Sequence, residues 1–255
     1  MVNELKYRYF VEFSYNGSSY VGWQIQPNGL SVQEQMEHHF GVKMQRKVEL
    51  VGCGRTDAGV HASFYVAHFD LDYPLTDPAQ WVYELNKFLP SSIAVKQIYA
   101  VSPEAHARFS ALERAYEYHI EYVKNPFTGH LAWRMSKPLD VVLMNEAANL
   151  LPVYEDFSSF ARSNSDVKHH RCKLSYAHFE EQGSHLIFRI RSNRFLRNMV
   201  RAIVGTLVEV GRGNLSVPEF EKIIQAKDRR KAKTSAPAQG LFLTEVSYPE
   251  WVYRP

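Results

Sequence analysis

The sequence predicts an α+β protein made of two α/β halves whose strands pair mainly antiparallel. Three observations lead there. Strand-like and helix-like patterns alternate along the whole chain, with no low-complexity stretch and no internal repeat of short period. Hairpin-type turn signals, Asn16-Gly17 and Gln182-Gly183, adjoin runs rich in aromatic and β-branched residues. At 255 residues, 45% hydrophobic and 22% charged, the chain suffices for one large domain or two small ones. The division is expected near residues 105 to 115, giving a first half of 1–105 and a second of 106–255.

The elements follow in order. Tyr7 to Tyr15 reads as a strand ending at the Asn16-Gly17 turn. Ser31 is an N-cap with Glu34 three residues on, which opens a helix reaching about Phe40. Val48 to Val51 is a short strand, and Ser63 to Leu71 a strand apolar on both faces and hence buried. Thr76-Asp77-Pro78 starts a helix that Leu89-Pro90 ends after Phe88. Ile93 to Val101 and Tyr116 to Val123 are strands, and Leu139 to Leu150 is a helix. Leu174 to Phe179 and His185 to Ile190 are paired strands. The strongest helix runs from Phe195 to Val210, with an apolar stripe of Phe195, Leu196, Met199, Val200, Ile203, Val204, Leu207 and Val208. Pro218 to Gln225 is a short helix, and Leu241 to Tyr248 a last strand.

Composition excludes several classes. No apolar run approaches a membrane span, and the opening Met-Val-Asn-Glu-Leu-Lys lacks the apolar centre of a signal peptide, so no membrane role and a cytoplasmic location are expected. Cys53 and Cys172 form no CxxC pair, which argues against a disulfide framework or structural zinc. Net charge is only +3, but the cations cluster. Arg189, Arg191, Arg194, Arg197 and Arg201 stand together with no acid between them. Five more cations lie in Lys227 to Lys233 against Asp228 alone, and Lys168, His169, His170 and Arg171 face only Asp166 between Arg162 and Lys173. One such run is usually a solvated face; three in one half point to a polyanion partner.

The chemistry concentrates in Gly52-Cys53-Gly54-Arg55-Thr56-Asp57-Ala58-Gly59-Val60-His61-Ala62. One carboxylate and one guanidinium share a turn with three glycines, which permit positive φ or close approach of a ligand. A dinucleotide fingerprint would need glycine at Asp57, and a P-loop would need Gly-Lys-Ser/Thr. On spacing alone, a tight turn with Asp57 capping the next element and a catalytic loop are equal readings.

The segment Gly52-x-Gly54-Arg55-Thr56-Asp57-x-Gly59-Val60-His61-Ala62 resembles the catalytic loop of the TruA family of tRNA pseudouridine synthases, and the resemblance runs along nearly the whole chain. Tyr15-Asn16-Gly17, Gly22-Trp23-Gln24-x-Gln26-Pro27-Asn28 and Ser31-Val32-Gln33 are similar to the family's opening. His106-Ala107-Arg108-Phe109-Ser110-Ala111 followed by Arg114-Ala115-Tyr116-Glu117-Tyr118 is similar to a second motif, with Ala105 where the family usually has Phe. Arg194-Phe195-Leu196-Arg197-Asn198-Met199-Val200-Arg201-x-Ile203-Val204-Gly205 is similar to a third. Ser235-Ala236-Pro237-Ala238-x-Gly240-Leu241-x-Leu243 is similar to the family's C-terminal stretch.

The resemblance implies a pseudouridine synthase fold, with the sheets of the halves joined and a central basic cleft. It implies Asp57 as the catalytic nucleophile, Arg201 as its charge partner and Tyr116 in the active site, while Tyr118 is core. Helical spacing puts Arg194, Asn198, Arg201 and Gly205 on one face opposite the apolar stripe. Arg194 and Arg197 then contact phosphates, with Asn198 in the same substrate-binding surface and Leu241 beside the uracil pocket. Arg55, two residues from Asp57, could fill the space that a flipped uridine vacates. The implied substrate is tRNA, at uridines 38, 39 and 40 of the anticodon stem-loop, and the implied assembly is a homodimer. The reaction needs no redox step and no cofactor. His61, His68, His106 and Cys53 lack metal-ligand spacing, so no metal is expected. A non-catalytic RNA-binding module would not need Asp57, Tyr116 and Arg201 together. A nucleoside hydrolase would need a second carboxylate, which the loop lacks.

Overall fold

The computed structural model describes residues 7–162 and 168–255. The N-terminal segment 1–6 and Asp166 of the central basic run lie outside the described residues. The chain divides into two compact units: the first is the chain up to Leu112 together with Leu243–Pro255, the second Glu113–Phe242. The His106–Ser110 turn and the chain from Leu243 onward thus belong to the first unit.

In the first unit, strand β1 (Tyr7–Tyr15) pairs antiparallel with β3 (His61–Leu71) on one side and β4 (Ile93–Ala100) on the other, and β2 (Val51–Gly52) pairs antiparallel with β3. Strand β1 is therefore central, and its Phe10, Val11 and Phe13 are fully buried. Helix α1 (Val32–Met44) is capped by Ser31, whose hydroxyl accepts from the Glu34 N–H. It buries Val32, Met36 and Phe40 and runs a turn past the expected end at Phe40, to Gln45 in the left-handed conformation. Helix α2 (Pro78–Phe88) starts where proline at its first position and the Asp77 carboxylate, accepting from Gln80 N–H, predict. Lys43 of α1 pairs with Glu84 of α2 and lies over the Trp81 ring.

In the second unit, β5 (Glu113–Glu121) pairs antiparallel with β8 (His185–Ser192), which pairs antiparallel with β7 (Leu174–Gln182). Strand β6 (Trp133–Arg134) is a short parallel addition to β5. The β7–β8 hairpin turns at Gly183, whose φ of +63° suits glycine. Helices α3 (Val141–Ala148), α4 (Met199–Gly211) and α5 (Val217–Ala226) pack on one another, and α3 packs on β7. Ser216 and Glu219 complete a reciprocal capping box on α5. Strand β9 (Leu241–Ser247) begins in this unit and ends in the first. Among the described residues, no helix is long and apolar enough to cross a membrane.

Helix α4 corrects the sequence reading. It starts at Met199, not at Phe195, because Asn198 is left-handed (φ 65°, ψ 2°), a conformation asparagine tolerates. Arg194 and Arg197 therefore lie in the approach to the helix and share no helical face with Arg201 and Gly205. Nor does a broad polar face exist. Every residue of α4 is buried except Arg201 and Glu209, which are half-buried.

Candidate active site

The 52–62 loop is fastened to the first unit along its whole length. Its entry is clamped by Cys53 N–H donating to the Val66 carbonyl (2.8 Å) and by the Tyr65 hydroxyl donating to the Gly54 carbonyl (2.5 Å). Tyr65 stacks on Trp23 with centroids 4.5 Å apart. Any Cβ at Gly52 would lie 2.2 Å from the Tyr65 hydroxyl and 2.6 Å from the Trp23 ring. That glycine serves close packing, and among the loop glycines only Gly59 has positive φ, at 76°.

The middle of the loop pairs with the 20–24 segment. Gly22 and Asp57 form an antiparallel bridge, and Trp23 N–H donates to the Thr56 carbonyl at 3.3 Å. Gly22 has φ +108°, and a Cβ there would meet the Thr56 carbonyl oxygen at 2.4 Å. The Thr56 side chain is buried and shares a 2.8 Å hydrogen bond with the Tyr15 hydroxyl. At the exit, Val60 N–H donates to the Asp57 carbonyl, and buried His61 accepts from Gly17 N–H through Nδ1 at 3.0 Å. His61 thus locks the loop. The backbone of Asp57 is fixed from both sides while its side chain stays half-buried and that of Arg55 is exposed. This is a preorganised display of a carboxylate.

A cavity of about 180 Å³ adjoins the loop, lined by Trp23, Gln24, Gln33, Gly54, Arg55 and Arg108 among others. A Cβ at Gly54 would meet no heavy atom within 4 Å, so packing against the rest of the chain does not require glycine there. Arg108 stands in the second motif, but nothing in its spacing marks it as a neighbour of Arg55. It lies 53 positions from Arg55 in sequence, and only the fold brings it to the same cavity.

The remaining candidates lie in the second unit. The Tyr116 ring, half-buried on β5, meets the Phe195 ring edge-on at 5.1 Å. Tyr118, two residues on, is fully buried and donates to the Pro237 carbonyl at 2.8 Å; burial pushes its pKa well above the usual tyrosine value. Arg201 donates through Nε to the Ala236 carbonyl (2.7 Å), and Ala236 N–H donates back to the Arg201 carbonyl (2.9 Å). Lys233 N–H bonds the Thr206 hydroxyl at 3.2 Å, so the 233–237 segment lies against α4. Asn198 does not cap the helix with its side chain but donates to the Ser235 hydroxyl at 2.7 Å. Arg229 reaches the same hydroxyl at 3.0 Å. Arg194 approaches His169 at 3.4 Å, Arg197 is exposed, and Leu241 is buried at the start of β9.

The cationic run from 189 to 201 is less uniform than its sequence. Arg189 pairs with Glu117 (2.8 Å) and with Glu180, and Arg191 lies 3.8 Å from Glu113. The acids missing from the local sequence come from neighbouring strands; Glu117 stands directly opposite Arg189 in the β5–β8 register. Hydrogen bonds from His119 and then Arg189 outweigh burial and draw the Glu117 carboxyl down to about 2. Arg230 pairs with Asp228 and Lys227 with Asp156, so the 227–233 run is likewise partly neutralised.

Known proteins share this arrangement of sequence. A family model described as tRNA pseudouridine synthase matches residues 153–249. The protein named tRNA pseudouridine synthase A of Parabacteroides distasonis is 48% identical over 246 residues, covering 96% of this chain and 98% of that one. Its namesake in Bacteroides fragilis is 48% identical, covering 96% and 98%. That of Bacillus subtilis is 40% identical, covering 92% and 96%. With identity of this level over nearly the full length, the chain belongs to the tRNA pseudouridine synthase A family.

Proposed function

We propose that this protein converts uridine to pseudouridine at positions 38, 39 and 40 of the tRNA anticodon stem-loop, with Asp57 as the nucleophile. The observation that carries the reading is the Asp57 loop: a carboxylate on a turn whose backbone is bridged to Gly22 on one side and bonded to Val60 on the other. The isomerisation breaks the N1–C1′ bond, turns the uracil and joins C5 to C1′. The C5 proton is lost and N1 gains one, so no oxidant, energy source or cofactor enters the balance. An ionised carboxylate held at the base or sugar supplies the covalent step.

Arg201 is the cation assigned to keep Asp57 charged when water is excluded, since a nearby guanidinium opposes the effect of burial on a carboxylate. The bidirectional bonding of Arg201 with Ala236 supports a positioned guanidinium. Tyr116 supplies a ring for the uracil and a hydroxyl that can exchange a proton. Leu241 lines the apolar side of the base. Arg55, exposed beside Asp57, takes the space the flipped uridine leaves, and Arg194, Arg197 and Asn198 contact the backbone. The enzyme works as a cytoplasmic homodimer in this reading.

The test uses tRNA with tritium at uracil C5. Release of tritium from anticodon-arm uridines, abolished in Asp57→Asn, is expected. Tritium retained throughout with tight binding would leave an RNA-binding module, and liberated uracil would mean a hydrolase.

A further inference from the structure

Residues 106 to 110 form a turn that the reaction as described does not use, yet it is held at every backbone N–H. His106 N–H donates to the Ser110 hydroxyl, and Ser110 N–H donates back to the His106 carbonyl at 2.9 Å. Ala107 N–H donates to buried His68 at 3.1 Å, and the Ala107 carbonyl accepts from the Tyr248 hydroxyl at 2.6 Å. The N–H groups of Arg108 and Phe109 both donate to His106 Nδ1, at 3.1 and 3.3 Å. Burial and the charge of Arg8 hold His106 toward its neutral form, which this double acceptance needs. Arg8 itself is pinned by Asp70 and reaches the Ala105 carbonyl at 2.9 Å.

What this fastening presents is an apolar ring in water. Phe109 is 75% exposed. His106 meets its ring at 4.4 Å between centroids and the Arg108 guanidinium lies 5.4 Å from it. Arg108 also lines the cavity that Arg55 lines, beside the Asp57 loop. An aromatic ring on a fastened turn, with the Arg108 guanidinium beside it, suits a single-stranded nucleic acid, whose bases stack and whose phosphates pair with cations. A second copy of this chain would bring the same positive groups against each other.

We propose that this turn is a second RNA contact, in which Phe109 stacks on an unstacked base flanking the target uridine while Arg108 holds a backbone phosphate at the cavity it shares with Arg55. The proposal rests on the tRNA reading above and adds a subsite to it. Preorganisation is its physical content: the ring is already in place, so stacking costs little ordering.

The test compares wild type, Phe109→Ala, Phe109→Trp and Arg108→Gln on anticodon-arm RNAs carrying 2-aminopurine on either side of the target uridine. Wild type should quench the fluorescence of one of these probes. Phe109→Ala should lose the quench and bind about ten- to hundredfold more weakly, with an unchanged melting temperature. Phe109→Trp should restore both, and Arg108→Gln should reduce the log–log salt slope of binding by about 0.7 to 0.9. Binding by Phe109→Ala within twofold of wild type with the quench intact overturns the proposal, as does an unchanged slope in Arg108→Gln. A change in sedimentation mass without a change in RNA affinity would make the ring a contact between copies and also overturns it. Tritium release by the wild type, measured in parallel, keeps the two readings separate. If release occurs while the binding results go against Phe109 and Arg108, only the subsite has failed; if release does not occur, the assigned activity has failed and the subsite with it.

Discussion

A Cβ placed on Gly205 would stand 2.0 Å from the carbonyl oxygen of Thr234, so α4 and the 233–237 segment meet backbone to backbone at this point. Two effects of Gly205→Ala then compete. Helix propensity favours alanine by about 1 kcal/mol. The clash is with a carbonyl, not with a side-chain tip that can swing away, and overpacking of this kind costs typically ~1–3 kcal/mol. Segment and helix are also tied by the Arg201–Ala236 pair of hydrogen bonds, so the strain falls on Arg201. Gly205→Ala is expected to lower stability by up to about 2 kcal/mol net and to reduce turnover. A urea midpoint at or above that of wild type would show that the segment yields freely.

Asp57→Asn is expected to abolish tritium release while leaving tRNA affinity and the urea midpoint near wild type. The loop is held through the backbone groups of Cys53, Gly54, Thr56 and Asp57 and through the side chains of Thr56 and His61, none of which this substitution alters. An amide keeps the shape and loses the charge. Turnover close to wild type would remove Asp57 from the covalent step.

The arginines from 189 to 201 should separate into two groups. Neutralising Arg194 and Arg197 together should weaken tRNA binding and lower the log–log salt slope by about 0.7 to 0.9 for each phosphate that no longer meets a cation. Arg189→Gln should leave the slope unchanged, because its guanidinium is engaged by Glu117 and Glu180. Its cost should appear as about 0.5–1 kcal/mol of stability, the scale of a partly exposed ion pair. A slope unchanged from wild type in the Arg194 and Arg197 variant would place the RNA elsewhere.

How much of this was legible in the sequence depended on whether the cause was local. Asp77-Pro78 and Ser31-x-x-Glu34 act within one helical turn, and both helices begin where those residues say. The Gln182-Gly183 turn needs only its own glycine. The start of α4 was not legible, because Phe195 and Leu196 continue the apolar stripe while the left-handed backbone of Asn198 interrupts the helix. The even basic run was misleading for a similar reason: its acids are a strand away in space and 72 residues away in sequence for Glu117 and Arg189. Of the candidate site, Asp57 and Arg55 stood out through their glycines. Gly22, Gly205 and Arg108 stand in the motifs that carry the resemblance, but the packing that fixes their roles comes from neighbours far along the chain.

His68 links stability to pH. It is 5% exposed and accepts from Ala107 N–H through Nδ1 at 3.1 Å, which requires that nitrogen to be unprotonated. Burial, with smaller contributions from the charges of Arg8 and His106, lowers its pKa from 6.5 to about 4, against the opposing pull of Asp70. The folded value lies below the unfolded one. As pH falls from 6.5 toward 4, the unfolded chain therefore binds a proton that the folded chain refuses. The stabilisation is complete above the unfolded pKa and is lost across that window, by about 2 kcal/mol between pH 7 and pH 5. Asparagine can place its amide oxygen near the site of Nδ1 and does not titrate. His68→Asn should lower stability at pH 7 through poorer packing, yet its urea midpoint should fall less than that of wild type on going to pH 5. A variant that keeps the full pH dependence would show that another group, such as His106, carries the linkage.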